Sequence, residues 1–160
     1  MLPATSPTFA APVAAEICRG TMRSMLAMDW TAVQELPLAN GRRADLVALD
    51  RTGELVIVEV KSCRADFLAD RKWPDYLDFC DRFYFAVGIG FPLELLPEAE
   101  GLIIADRYGA EITRPAVVRP LGAARRKAML IRLARAAAMR LQLTLDPELD
   151  LAALDQSPLS

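Results

Sequence analysis

The stretch GRRADLVALDRTGELVIVEVK, residues 41–61, reads as two strands and the turn between them. Arg42–Leu49 and Glu54–Lys61 are rich in apolar and β-branched residues. Arg51-Thr52-Gly53 separates them as a three-residue loop, with Gly53 at the left-handed position such a hairpin requires. Side chains alternate along a strand, so Leu55, Ile57, Glu59 and Lys61 share one face and Val56, Val58 and Val60 the other. Glu59 and Lys61 are then neighbours about 7 Å apart. A three-residue loop pairs Asp50 with Glu54 and carries Asp45 to the place opposite Glu59, on the same face; a two-residue loop would set it opposite Val58. The loop thus collects Asp45, Glu59 and Lys61 at the end of an otherwise apolar strand. Charge buried there is costly unless it is paired or bound to something.

Working outward, Ala32–Leu38 is a third strand-like run, and Asn40-Gly41 predicts a two-residue type I′ turn after it. That turn sets Leu36 opposite Asp45 and points Glu35 to the other face unless a bulge intervenes. Val13–Met28 carries a helical pattern, with Ile17, Met25 and Met28 on one face. Downstream, Ser62 is placed to cap a helix running to about Lys72; Pro74 interrupts it, and Asp75–Cys80 continues for a turn or two. Phe83–Val87 and Leu102–Ala105 are short apolar strands, and Glu111–Thr113 pairs beside the latter after a turn at Tyr108-Gly109. Residues 121–143 form the longest helix. This order predicts an α/β fold, a central mixed sheet flanked by helices. The proline-punctuated residues 1–12 read as a loose arm, 13–145 as a single domain, and 146–160 as an acidic tail.

The composition narrows the chemistry. The chain of 160 residues is 53% hydrophobic and 25% charged, which excludes disorder as its default state. There is no histidine, so a Ser-His-Asp triad, a Cys-His pair and a His-ligated zinc are excluded. Cys18, Cys63 and Cys80 are odd in number and far apart, which suits neither a zinc knuckle nor a disulfide framework and predicts a reducing cytoplasm. No apolar run approaches membrane-spanning length, and the N-terminus lacks the basic region of a signal peptide. Hydrolytic chemistry must then run on carboxylates, lysine, tyrosine or thiols with a hard cation. Two facing carboxylates without His or Cys select Mg²⁺ or Mn²⁺, and a lysine beside them can orient a water or stabilise charge on a phosphate. The competing reading of Asp45, Glu59 and Lys61 is an ordinary ion pair at a strand end.

The net charge of −2 hides an asymmetry. Between Arg114 and Leu145 stand eight basic residues and no acidic one. On a helical wheel Arg125, Arg126, Arg132, Arg135 and Arg140 fall on one arc and Leu130, Ala134, Ala137 and Leu141 on the opposite one. An outward arginine face suits phosphate-backbone binding, with Arg125 and Arg132 as its representatives. Trp73 can stack on a base, but beside Phe79 and Phe83 it reads as core.

Asp45 followed fourteen residues later by Glu59-Val60-Lys61 resembles the PD-(D/E)XK nuclease superfamily. The longer run GRRADLVALDRTGELVIVEVKSCRADFLADRKWPDYLDFCDRFYFAV resembles the MmcB-like DNA repair proteins. The likeness continues through GLIIADRYGAEI and ARRKAMLIRLARAAAMRL, so it covers roughly residues 13–143. It implies a restriction-endonuclease-like sandwich and a Mg²⁺- or Mn²⁺-dependent DNA nuclease acting in damage repair. Asp45 and Glu59 would hold the metal and Lys61 would position the attacking water. A third carboxylate is common in the superfamily; Glu16 on the first helix and Glu35 are the two candidates. Lys72-x-x-x-Tyr76 resembles a Gln-x-x-x-Tyr element that supports the site and contacts substrate, with Lys in place of Gln. The implied partners are DNA and other repair proteins, and a homodimer is compatible, since many nucleases of this fold dimerise to cut both strands. The alternative is a non-catalytic DNA- or partner-binding repair module that retains the fold.

Overall fold

The computed structural model describes residues 13–149. The expected arm over 1–12, and the tail beyond its first four residues, lie outside the described residues. Helix α1 (Ala14–Ala27) leads into strands β1 (Thr31–Pro37), β2 (Arg43–Leu49) and β3 (Leu55–Lys61). A short helix α2 (Arg64–Ala69) and a 3₁₀ segment (Trp73–Phe79) follow, then β4 (Arg82–Gly88), β5 (Gly101–Ala105), β6 (Ala110–Arg114) and helix α3 (Ala123–Leu145). The six strands lie in one sheet in chain order. The first two pairings are antiparallel, β3–β4 and β4–β5 are parallel, and β5–β6 is antiparallel. This is the mixed sheet flanked by helices that the strand pattern predicts.

Each face of the sheet packs its own core. Ile17 and Met25 of α1 cover Leu46, Ala48, Val56, Val58, Val60, Tyr84 and Ile103. On the other face, Met129 and Leu133 of α3 and Tyr76 of the 3₁₀ segment cover Leu36, Val47, Leu55, Ile57, Phe83 and Phe85. All of β3 is buried, since it is central and covered on both faces. Trp73 stacks on Phe83, with ring centroids 5.7 Å apart, and belongs to the core.

The hairpins decide the geometry of the site. Gly53 has φ +91°, and Asp50 and Glu54 close the loop through the 3.1 Å bond from the Asp50 N–H. The ladder then pairs Leu49 with Leu55 through Leu46 with Val58, the register that a three-residue loop sets, and ends one residue short of Asp45 and Glu59. The first hairpin departs from expectation. Its loop holds three residues, Ala39–Gly41, with the Leu38 N–H bonded to the Arg42 carbonyl at 2.7 Å and Gly41 at φ +80°. One extra loop residue shifts the register by one: Leu36 pairs with Ala44, and Glu35, not Leu36, falls opposite Asp45. Glu35 is itself left-handed at φ +47°, an unusual conformation for a residue with a Cβ. Strand alternation breaks there: Val33 and Leu36, three residues apart, meet the same core, as do Ala44 and Val47 on β2.

Two helices also differ from expectation. Cys63, not Ser62, occupies the cap of α2, and the Ser62 N–H and hydroxyl both donate to the Asp66 carboxylate. The helix stops at Ala69, short of Lys72, because the Asp70 carboxylate turns back to accept the Lys72 N–H and bind Lys61. In α3 the expected apolar arc is not the buried one. Met129 and Leu133 point inward and Leu130 packs partly against the core, Ala134, Ala137 and Leu141 are exposed, and Arg126, Arg132 and Arg140 reach the body of the protein. The reason lies in β1, an edge strand whose outer carbonyls need donors. Arg140 donates to the Gln34 and Glu35 carbonyls and Arg132 to that of Pro37. Arg126 clamps the Asp81 carboxylate and the Gly53 carbonyl.

Candidate active site

Asp45, Glu59 and Lys61 line one cavity of about 520 Å³, together with Glu35, Asp66 and Asp70. The first turns of α1 form its other wall, through Ala14, Ala15 and Cys18. Glu59 and Lys61 reach it by strand alternation, and Asp45 from the segment of β2 where alternation breaks. At this point the β2–β3 ladder ends, and the Asp45 Oδ2 takes over as acceptor for the Val60 N–H at 2.8 Å.

Lys61 lies between two acids. Its Nζ is 2.7 Å from Asp70 Oδ2 and 3.2 Å from Glu59 Oε1, and the Lys61 and Glu59 side chains are 4% and 6% exposed. Burial opposes ionisation of Asp70, but the bonds from Lys61 and from the Lys72 N–H hold its carboxyl below the usual range. Burial pulls on the Lys61 ammonium too, and Asp70 and Glu59 outweigh it, so it stays charged above its ordinary range. Glu59 is left short of positive charge. Burial, and then the neighbouring Asp45 carboxylate, push its pKa up to about 8 against the pull of Lys61. Its Oε2 is buried and has no hydrogen-bond partner. Asp45 is raised as well, chiefly by burial. The cavity therefore holds more carboxylate than its one lysine neutralises. Among the described residues, no three His, Cys, Asp or Glu side chains stand grouped as a ready metal cage.

The other expected site residues are distributed unevenly. Glu35 is on the cavity wall, whereas Glu16 faces Arg107, 3.9 Å away, and is not among the lining residues. Tyr76 is buried, stacks on Phe83, and donates its hydroxyl to the Arg43 carbonyl at 3.0 Å, two residues from Asp45. Burial and the nearby Glu59, Asp45 and Asp70 raise its phenol, so it stays protonated. Lys72 is exposed. Arg125 bonds the Asp78 carbonyl at 2.9 Å and lies over the Phe79 ring, and Arg132 bonds Pro37 at 3.0 Å. Both line a separate hollow at the start of α3, so the structure does not bring them to the carboxylates. Cys18 meets the cavity with its thiol raised by burial and by Asp45 and Glu35, which keeps it neutral.

Sequence reasoning missed Asp66 and Asp70. Asp66 lies on α2 and Asp70 just past its end, so no helical spacing in the sequence marks the two as neighbours of Lys61. Arg140, read from the sequence as part of an arginine face, instead holds the carbonyl of the left-handed Glu35 from a different element.

A family model described as DNA repair protein MmcB-like matches residues 4–148. No curated protein matches the chain. Among solved structures, the SPO1766 protein of unknown function from Silicibacter pomeroyi is similar at a TM-score of 0.83 and 44% identity. The match covers 88% of this chain and 95% of that one. Among the described residues no helix is long and apolar enough to cross a membrane.

Proposed function

The chain belongs to the MmcB-like family of DNA repair proteins, and from that premise we propose that it is a metal-dependent DNA nuclease whose site is the Asp45–Glu59–Lys61 cavity. One observation carries the reading: Glu59, which lines a cavity with more acid than base, keeps a buried carboxyl oxygen without a partner. Such a donor set fits a hard divalent cation, Mg²⁺ or Mn²⁺. Asp45 and Glu59 would hold it, with Glu35 on the same wall. Bound there, the cation would supply Lewis acidity toward a phosphodiester oxygen and lower the pKa of a water.

The protein's own residues do the rest. Lys61 presents its ammonium inside the cavity, where it orients a water for in-line attack or stabilises charge gathering on the phosphate. Asp70 keeps that ammonium charged and fixed in direction. Tyr76 holds the backbone beside Asp45. The wall formed by α1 limits access of bulk water to the carboxylates.

The alternative, a non-catalytic DNA-binding repair module on the same fold, draws on the missing third ligand among the described residues. Cleavage of a panel of single-stranded, duplex, mismatched and branched DNAs with Mn²⁺ separates the two. The nuclease reading expects cutting by wild type and none by Asp45→Ala or Lys61→Ala. It also expects Lys61→Ala still to bind Mn²⁺ by calorimetry, since the carboxylates carry the metal. DNA binding without cleavage, unaffected by Mn²⁺, favours the module.

A further inference from the structure

The outward side of α3 is apolar. Ile131, Ala134, Ala138, Leu141 and Leu145 recur at alternating steps of three and four, the spacing of a helix–helix seam, and all five are exposed. Ile131 is 51%, Leu141 59% and Leu145 76% exposed, while the helix buries only Met129 and Leu133. The seam runs about 21 Å along the helix at 1.5 Å per residue. A patch of this kind on a solvated helix marks an interaction surface. Beside it, a hollow of about 360 Å³ opens between α3 and the edge strand β1, walled by Leu36, Pro37, Ala128, Ile131 and Arg135. It has room for one large apolar side chain.

Charge chooses the occupant. Arg126, Arg132 and Arg140 are spent on the body of the protein. Lys127 and Arg135 are exposed on and beside the seam, and α3 contains no acidic residue. A second copy laid parallel would set Lys127 and Arg135 against their own equivalents, and an antiparallel one would leave Arg135 facing Leu141 with no acid to meet it. We propose that the outward face of α3 docks an acidic amphipathic helix of another protein. Its apolar stripe would lie along Ile131–Leu145, one large side chain would enter the hollow, and its carboxylates would meet Lys127 and Arg135. None of these residues lines the Asp45 cavity, so the proposal stands apart from the nuclease reading.

The test titrates the full chain into a labelled 21-residue peptide with Leu at the a and d positions and Glu at the flanking e and g positions, read by fluorescence anisotropy. The control peptide carries Lys in place of Glu. The expected result is saturable binding of the Glu peptide, at least tenfold tighter than the Lys peptide and weakened by salt. Ile131→Glu and Leu141→Glu should each weaken it tenfold or more. Both positions are exposed, so an unchanged melting temperature shows that the fold survives. Arg135→Glu should reduce the preference for the Glu peptide. Equal binding of both peptides, or no saturable binding, overturns the proposal. So does a dimer of the free chain in sedimentation that Ile131→Glu disperses, which assigns the face to a second copy. Binding that appears only when Leu151 and Leu154 are replaced by Ser also overturns it, since the chain's own tail is then the occupant.

Discussion

Glu59 and Lys61 are two residues apart on one face of a strand, yet their protonation is decided by residues elsewhere. Asp70 makes the shorter contact with the lysine, and Glu59, buried next to Asp45, has its pKa pushed up to about 8. In the unfolded chain a glutamate releases its proton near pH 4.5, so between there and about 8 the folded state holds a proton that the unfolded state lacks. Stability contributed by this group is complete at low pH and is lost as pH rises through about 8, with a limiting slope of about 1.4 kcal/mol per pH unit. Glu59→Gln cannot titrate. Thermal melts across pH 4.5 to 8.5, without divalent cation, should therefore show a downward slope in wild type that flattens in the variant. Parallel curves would mean that Glu59 is ionised throughout. The pairing of Glu59 with Lys61 was legible from strand alternation. The capture of Lys61 by Asp70 was not, because it depends on where a six-residue helix ends.

At the scale of elements, loop length and close approach outweigh local preference. Both hairpins of the first three strands use three-residue loops ending in a left-handed glycine, Gly41 and Gly53. Asn40-Gly41 carries the residues of a tighter turn, and the longer loop that forms instead brings Glu35 to the cavity. Helix α1 shows the same precedence at Gly20. An alanine there would gain about 0.5–1 kcal/mol of helix propensity. Its Cβ, however, would stand 1.8 Å from the Asp106 carbonyl oxygen, a backbone atom that cannot rotate away. Gly20→Ala must therefore push α1 off the sheet, and the wall of the cavity with it. A net loss of about 1–3 kcal/mol is expected, measured as a lower urea midpoint. An unchanged or higher midpoint would show that α1 adjusts without cost.

The whole molecule is tied at Asp81. Its Oδ2 accepts the Leu55 N–H at the start of β3, its Oδ1 accepts the Leu121 N–H ahead of α3, and Arg126 binds both oxygens. Its own carbonyl accepts the Arg119 N–H. Burial opposes its ionisation, but Arg126 and the two backbone donors hold its carboxyl below the usual range. One buried carboxylate thus joins the centre of the sheet to the helix that covers it. Asp81→Ala would leave the half-buried Arg126 and two amides without their acceptor. A loss of about 3 kcal/mol in denaturant unfolding is expected, while the melting temperature of Glu100→Ala, which frees only the more exposed Arg119, should fall less. Equal losses would remove Asp81 from this joining role.

Local chemistry by itself determined the β2–β3 hairpin and its Leu46–Val58 register, because alternation and a glycine-closed loop act within a few residues. Membership in the family also lies in the run of residues around that hairpin and agrees with the match over 4–148. The tertiary structure decided what a single chain segment cannot. It selected Glu35 over Glu16 for the cavity wall, brought Asp70 to Lys61, and bound Arg126, Arg132 and Arg140 of α3 to the body of the protein. A helical wheel separates two arcs but does not orient them. The orientation came from the edge strand β1, whose unpaired carbonyls bind guanidinium groups more strongly than they tolerate an alanine face.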